Sequence, residues 1–269
     1  MKVLFWNTHR QKNDLLNLAI CDIILENDIN IAAFAEYENN LDELLILLQS
    51  NGVFMTKYIT IGCEKVIIIG NVANVKPGLQ SNRFSIQIIN DKYILCAAHF
   101  PSRLHDGHKE RREIAVQMAI DGIQETERKL GCEQSIIVGD INEDPYENSC
   151  LSARNLHGLP SAQDAKRGSR TVEGKLFYTF YNPMWNMFGD FSSPPGTFYY
   201  SASMATNSFW HIYDQVILRP CLIDSFVEGS FCIPTETKNC SLLDENGHPD
   251  KRTLSDHLPV IFEIKEDPS

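Results

Sequence analysis

The feature of the sequence that most narrows the fold is a set of short apolar runs, each abutting a residue that can bind a metal ion or move a proton. Val3–Trp6 stops at Asn7, Ile31–Ala35 at Glu36 and Tyr93–Ala98 at His99. Ser135–Val138 leads through Gly139 to Asp140, Tyr213–Leu218 carries Asp214 near its start, and Asp256-His257 stands just ahead of Pro259–Ile264. Runs of this length, bounded by turn residues, read as strands. Val66–Ile69 and Phe84–Ile89 add two more, and Asn90-Asp91 fits the turn of a hairpin leading into Tyr93–Ala98. Strands that end along one edge of a sheet bring their terminal side chains together. Hydrophilic, ligand-type residues at so many strand ends are hard to assign to packing.

Between the strands lie stretches with helical periodicity. Leu15, Leu18, Ala19, Asp22 and Ile23 mark one, and Ile114, Gln117, Met118, Asp121 and Ile123 another. Leu41 to Gln49 predicts a third helix closed by Asn51-Gly52. Asp144-Pro145 predicts a helix start, with Asp as cap and Pro in the first turn. The order of elements is a mixed α/β layout, without a fixed-period repeat or a low-complexity linker. Residues from about Asn182 to Trp210 differ in kind, being rich in Gly, Pro, Ser and aromatics, and read as a long ordered loop.

A chain of 269 residues with 43% apolar content can bury a large core. No segment approaches the roughly 18 apolar residues of a membrane span, and the apolar cluster ahead of Asn7 is too short for a secretory signal. The eight cysteines show neither Cys-x-x-Cys nor a His at zinc spacing. Several, such as Cys96, sit inside apolar runs, so buried reduced thiols are expected, and with them a cytoplasmic location. A net charge of −11 opposes non-specific attraction to a polyanion. Carboxylates that hold divalent cations can still make the field at a site positive.

Six motifs, in order, give the chain a family likeness: Phe-Trp-Asn at 5 to 7, Ala-Glu-Tyr-Glu at 35 to 38, Ala-Ala-His-Phe-Pro-Ser at 97 to 102, Gly-Asp-Ile-Asn at 139 to 142, Tyr-Asp-Gln-Val at 213 to 216 and Ser-Asp-His-Leu-Pro at 255 to 259. Together they resemble the endonuclease/exonuclease/phosphatase superfamily. The resemblance implies a four-layer α/β/β/α sandwich with two packed mixed sheets, formed by residues 1–269 as a single domain, with the site at one edge of the sheets. It implies a divalent-metal-dependent phosphodiester hydrolase. Glu36 would be the principal ligand of Mg²⁺ or Mn²⁺, with Asn7 and Asp256 completing or supporting the shell and Glu38 as a possible substitute for Glu36. Asp140 would orient or deprotonate the attacking water, and Asn142 would hold water or phosphate. Asp214 would pair with His257, and His99 would donate to a non-bridging oxygen or the leaving group. Either Asp140 or His257 can serve as the base.

Each residue also has a structural reading in isolation: Asn7 as a turn residue, Glu36 as part of a solvated acidic patch, His99 as a satisfied core histidine, Gly-Asp-Ile-Asn as a β-turn and Ser-Asp-His-Leu-Pro as a cap and turn before a strand. Arg10 and Arg103 can reach substrate phosphate or remain surface arginines. The run Lys109, Arg111, Arg112, interleaved with Glu110 and Glu113, reads as a solvated helix face.

His99-Phe-Pro-Ser102 departs from the Tyr-x-Pro-Asn of abasic-site endonucleases, and Glu143-Asp144 departs from the Tyr-Arg of inositol polyphosphate phosphatases. Ala-Ala-His is shared with the deoxyribonuclease-type, deadenylase and sphingomyelinase-type branches. A nucleic acid substrate is expected, with a small or lipid-linked phosphate ester as the alternative. The aromatics of the 182–210 loop can stack on unpaired bases or form a hydrophobic plug. The absence of Arg and Lys from Asn182 to Trp210 favours the plug.

Overall fold

The computed structural model describes residues 1–102, 108–189, 194–202, 205–227 and 229–266, without the side chains of 108 and 109. Its strands begin with β1 (Lys2–Asn7), β2 (Ile31–Ala35), β3 (Thr56–Lys57), β4 (Val66–Gly70), β5 (Val75–Ser81), β6 (Phe84–Ile89), β7 (Tyr93–His99) and β8 (Ser135–Asp140). Beyond these come β9 (Gly158–Leu159), β10 (Ser169–Val172), β11 (Lys175–Tyr178), β12 (Phe180–Tyr181), β13 (Phe198–Tyr199), β14 (Trp210–His211), β15 (Asp214–Leu218) and β16 (Val260–Glu263). The α-helices are α1 (Asp14–Glu26), α2 (Leu41–Ser50), α3 (His108–Leu130), α4 (Asn148–Leu151) and α5 (Ala162–Ala165).

Two mixed sheets dominate, a five-stranded one in the order β16-β1-β2-β4-β3 and a seven-stranded one in the order β5-β6-β7-β8-β15-β12-β9. The two-residue alternation of strand side chains divides the second sheet cleanly. Leu95, Ala97, Ile136, Val138, Val216 and Leu218 join the core shared with the first sheet. Ile94, Cys96, Ala98, Ile137 and Ile217 face the other way and pack with Val116, Ala119 and Ile123 of α3. Leu16, Ile20 and Ile23 of α1, with Leu44 and Leu48 of α2, belong to the larger core of the first sheet. The layers therefore run helix, sheet, sheet, helix, as the resemblance implied. Asn90 and Asp91 both take positive φ, 54° and 53°, in the tight connection between β6 and β7.

Several local expectations are corrected. The inward face of α3 is carried by Arg112, Ala115, Val116, Ala119 and Ile123, while Ile114 and Met118 are exposed. The periodic stripe read from the sequence was displaced by about a third of a turn, because small alanines rather than the large apolar residues meet the sheet. Arg112 is not on a solvated face at all. Asp144-Pro145 does not start a helix; α4 begins at Asn148 with Glu147 as its cap residue, and the Asp144 carboxylate instead accepts from the Ile212 backbone N–H at 2.7 Å and meets His211 Nδ1 at 2.7 Å. All eight cysteines are free thiols, but only Cys21, Cys96 and Cys150 are buried. No helix among the described residues is long and apolar enough to cross a membrane.

The described part of the 182–210 segment contains a 3₁₀ turn (Pro183–Met187), β13 and the start of β14. Met184 enters the core, Phe198 lies 4.7 Å from the His257 ring and 5.2 Å from Tyr213, and Tyr199 stacks on His248 at 3.6 Å. These rings anchor the segment as a hydrophobic plug.

One buried ion pair ties α3 to the second sheet. Arg219, just beyond β15, meets Glu127 of α3 through Nε and Nη2 at 2.7 and 2.9 Å, with its guanidinium 4.0 Å from the Phe180 ring centre. Removing one partner strands the other charge in a nearly dry environment. Glu127→Ala is expected to lower unfolding free energy by about 3–5 kcal/mol, measured by urea denaturation.

Candidate active site

The strand register places three candidate residues side by side on the second sheet. β7 and β8 run parallel with His99 opposite Asp140, and β8 and β15 run antiparallel with Asp140 opposite Asp214. Gly139 makes this spacing possible, since a Cβ there would lie 2.1 Å from the Ala98 carbonyl oxygen. The first sheet supplies the other half. Asn7 ends β1 and pairs with Ala35 at the end of β2, Glu36 follows directly with φ of 50°, and Asp256 and His257 lead into β16.

The halves meet through hydrogen bonds between buried groups. Asn7 Nδ2 donates to Asp140 Oδ2 at 2.9 Å, which turns its amide oxygen the other way, where it accepts from the His9 N–H at 3.1 Å. His257 Nδ1 lies 2.8 Å from Asp214 Oδ2. His257 Nε2 stands 3.9 Å from both Asp140 Oδ2 and Asp256 Oδ1, and His99 Nε2 is 3.5 Å from Asp140 Oδ2. Asp140 Oδ1 accepts from the Asn142 N–H at 2.9 Å. The Asn142 side chain is tied down, its Nδ2 donating to the Phe100 carbonyl at 2.9 Å. Ser255 fixes the last motif, donating from its hydroxyl to the Asn7 carbonyl at 2.6 Å and accepting from the His257 N–H at 3.0 Å.

Glu36 is brought to the same edge, where the charge of His99 bears on it. Its Oε1 accepts from Arg10 Nη2 at 3.1 Å, and Arg10 Nε also lies 3.8 Å from Glu38, so Arg10 is paired with carboxylates while its side chain stays exposed to solvent. Arg103 lies outside the described residues.

Burial and charge pull these groups in different directions. Burial drives the Asp140 carboxyl up to about 7, reinforced by Asp214 and opposed by His257 and the Asn7 hydrogen bond. Burial alone would depress His257, but the Asp214 and Asp140 charges outweigh it and carry the imidazole up to about 10. His99 is pushed down to about 4 by burial, with Arg83, His257 and Lys65 acting the same way against Glu36. For Glu36 burial raises the pKa, but His99, Arg10 and His9 prevail and hold it below the usual value.

The oxygen donors suit a hard divalent cation. Asp256 Oδ1 is buried without a hydrogen-bond partner among the described residues; His9 Nδ1 approaches it to 3.1 Å, but off the hydrogen-bonding direction. Asp256, Glu36 and the amide oxygen of Asn7 are oxygen donors of the kind that Mg²⁺ or Mn²⁺ prefers. Asp140, Asp214 and His257 also present one ligand atom each within 4.8 Å of one another. The bond from His257 Nδ1 to Asp214 leaves Nε2 as the ring atom that could face an ion.

Two basic residues at this edge escaped the sequence reading. The Lys65 carbonyl accepts from the Glu36 N–H at 3.3 Å, and the Arg83 carbonyl from the His99 N–H at 2.8 Å. They flank Glu36 and His99 from the residues just ahead of β4 and β6, and burial lowers the Arg83 pKa. The strand-end rule that found the other residues, applied to Val66–Ile69 and Phe84–Ile89, points to both.

The His257 pairing has a pH signature. Its folded value of about 10 exceeds the unfolded 6.5, so the stability it contributes is fully present below about 6.5 and lost as pH rises through about 10. In chelator-treated protein, the stability difference between wild type and His257→Gln, measured by urea unfolding, is expected to be larger at pH 6.5 than at pH 10.

No protein-family model matches the sequence, and no curated protein does. Solved structures do. An AP endonuclease from Archaeoglobus fulgidus superposes with a TM-score of 0.59 at 12% identity, over 99% of this chain and 100% of that one. An endonuclease/exonuclease/phosphatase family protein from Leptotrichia buccalis gives 0.59 at 16% identity, with the same coverage. A 3′ phosphatase from Neisseria, bound to a product DNA hairpin, gives 0.58 at 17% over 99% and 100%. The two-sheet architecture that gathers Asn7, Glu36, His99, Asp140, Asp214 and His257 at one edge is the fold of these endonuclease/exonuclease/phosphatase proteins.

Proposed function

We propose that the chain is a Mg²⁺- or Mn²⁺-dependent phosphodiester hydrolase acting on DNA or RNA, with residues 1–269 forming one catalytic domain. The observation that carries this reading is the convergence of an imidazole–carboxylate pair, a second buried carboxylate and an oxygen donor set from the ends of strands in two sheets. The solved structures of the same fold include an AP endonuclease and a 3′ phosphatase bound to DNA, which supports the substrate class. The free thiols support a reducing compartment such as the cytoplasm.

Glu36, Asn7 and Asp256 hold the cation. When bound, the ion supplies Lewis-acid withdrawal of charge from a phosphoryl oxygen. Asp140, oriented by Asn7 and the Asn142 N–H, takes the proton of the attacking water, for which a carboxylate poised near neutrality is suited. His257, kept as imidazolium by Asp214, presents its Nε2–H to the charge that develops on the phosphoryl group. His99, kept neutral, offers a ring N–H to a non-bridging oxygen or the leaving group. Asn142 keeps Asp140 aligned through its backbone. Arg83 and Lys65 give an acidic protein local positive charge for a backbone phosphate beside the scissile one, and Arg10 and Arg103 extend that role.

The test is hydrolysis of plasmid DNA, single-stranded DNA and RNA against a panel of small phosphate esters, with Mg²⁺ or Mn²⁺. Cleavage of nucleic acid, abolished by chelation, is expected. Asp140→Ala should lower kcat at least a hundredfold, about 2.7 kcal/mol of transition-state stabilisation. Cleavage confined to small esters would replace the nuclease reading with a phosphatase. Activity that survives chelation or Asp140→Ala would overturn the mechanism.

A further inference from the structure

Arg112 is among the largest fully buried side chains of the protein, although it lies on a helix whose neighbouring Arg111 is exposed. A buried guanidinium is retained only where its donors are met. Its Nη2 lies 3.0 Å from Glu143 Oε1. Its Nη1 donates to two backbone carbonyls, Pro101 at 3.2 Å and Asn142 at 3.1 Å. Glu143 is itself held, its Oε2 accepting from the Ser149 N–H at 2.7 Å.

The positions of these acceptors matter more than their number. Pro101 is two residues beyond His99, and Asn142 two residues beyond Asp140, at the points where β7 and β8 leave the sheet and ladder hydrogen bonds cease. Past the register pair His99 and Asp140, the chains stay together through Phe100 N–H to the Asp140 carbonyl at 2.9 Å and Asn142 Nδ2 to the Phe100 carbonyl at 2.9 Å. The fork of Arg112 closes this lacing from beneath, since one planar group reaches both chains and a carboxylate at once. Asn142 sits at φ of 57°, a left-handed conformation that needs its surroundings to hold it, and its N–H is a direct partner of Asp140.

We infer that Arg112 is a positioning residue, whose guanidinium, paired with Glu143, bridges the exits of β7 and β8 and so sets His99 and Asp140 relative to each other. Its kinetic readout rests on the phosphodiester-hydrolase reading above, but its structural readout does not. Among the described residues, Arg112 is bonded to Pro101, Asn142 and Glu143 and to neither His99 nor Asp140. It acts through the backbone on those two side chains.

The test uses two variants of the full chain. Arg112→Lys keeps the charge but lacks the fork, so it cannot serve both carbonyls and Glu143. Arg112→Met with Glu143→Met removes the buried pair together, which avoids stranding either charge. Both are expected to unfold cooperatively, like wild type, yet to lose roughly tenfold or more in kcat with KM little changed, the effect of a displaced catalytic group. In parallel, the imidazole ¹⁵N resonances of His99 are expected to move in both variants while those of His248, held by Asp244 and stacked on Tyr199, stay in place. Wild-type kcat or unchanged His99 resonances in either folded variant would overturn the proposal, as would the unfolding of both, which would make Arg112 a stability element only. Should wild type hydrolyse no phosphodiester, the functional reading fails, and the His99 resonances still decide the positioning role.

Discussion

Burial of the central strands on both faces is the constraint from which the rest of the structure follows. β2, β7, β8 and β15 are buried at every residue, because each sheet is covered by helices on one side and by the other sheet on the opposite side. A charged side chain in the middle of such a strand would lose its hydration without gaining a partner. Polar chemistry is therefore confined to the ends, where strands leave the sheet and neighbouring chains can supply hydrogen bonds. The register then begins the assembly: His99, Asp140 and Asp214 stand opposite one another on three adjacent strands, and the segments beyond β2 and before β16 bring Glu36 and His257 to them.

The same constraint explains what could be read from the sequence. Apolar runs stopping at Asn7, Glu36, His99 and Asp140 are the direct imprint of strands that tolerate polarity only at their ends, and the eight runs all correspond to strands. What escaped notice depends on which way a helix faces or which chain lies alongside. On α3 the sheet is met by Ala115, Val116 and Ala119, while the larger Ile114 and Met118 point outward, so hydrophobic size misled the periodicity. Arg112 could not be separated from Arg111 by local charge, since the acceptors that bury it come from Pro101 and Asn142, at different places in the chain. The two-residue strands β3, β9, β12, β13 and β14 exist only through pairing and leave no periodic trace.

Gly139 shows how fold and site share one requirement. Its missing side chain lets the Ala98 carbonyl come close, which keeps β7 and β8 in the register that sets His99 beside Asp140. The Gly of Gly-Asp-Ile-Asn is therefore a packing residue whose consequence is chemical. Thr197 plays a comparable part between the sheets: its hydroxyl accepts from the Asp214 N–H at 3.1 Å, and its carbonyl from the Leu258 N–H at 2.7 Å. It thereby fastens the two segments that carry the imidazole–carboxylate pair, while Phe198 beside it covers the His257 ring.

The electrostatics follow from the same geometry. Asp140 is squeezed between a medium that disfavours its charge and an imidazolium that favours it, and the balance carries its carboxyl up to about 7. Asp214 faces the same burial but has His257 at 2.8 Å, and its charge is what keeps that ring protonated. Two carboxylates directly opposite each other across a strand pair are thus met differently by a single histidine arriving from the other sheet. Asn142 and His99 of the second sheet bear on Asp140, while Asn7 and His257 reach the two carboxylates from the first, which is why the arrangement belongs to the sandwich and not to either sheet alone.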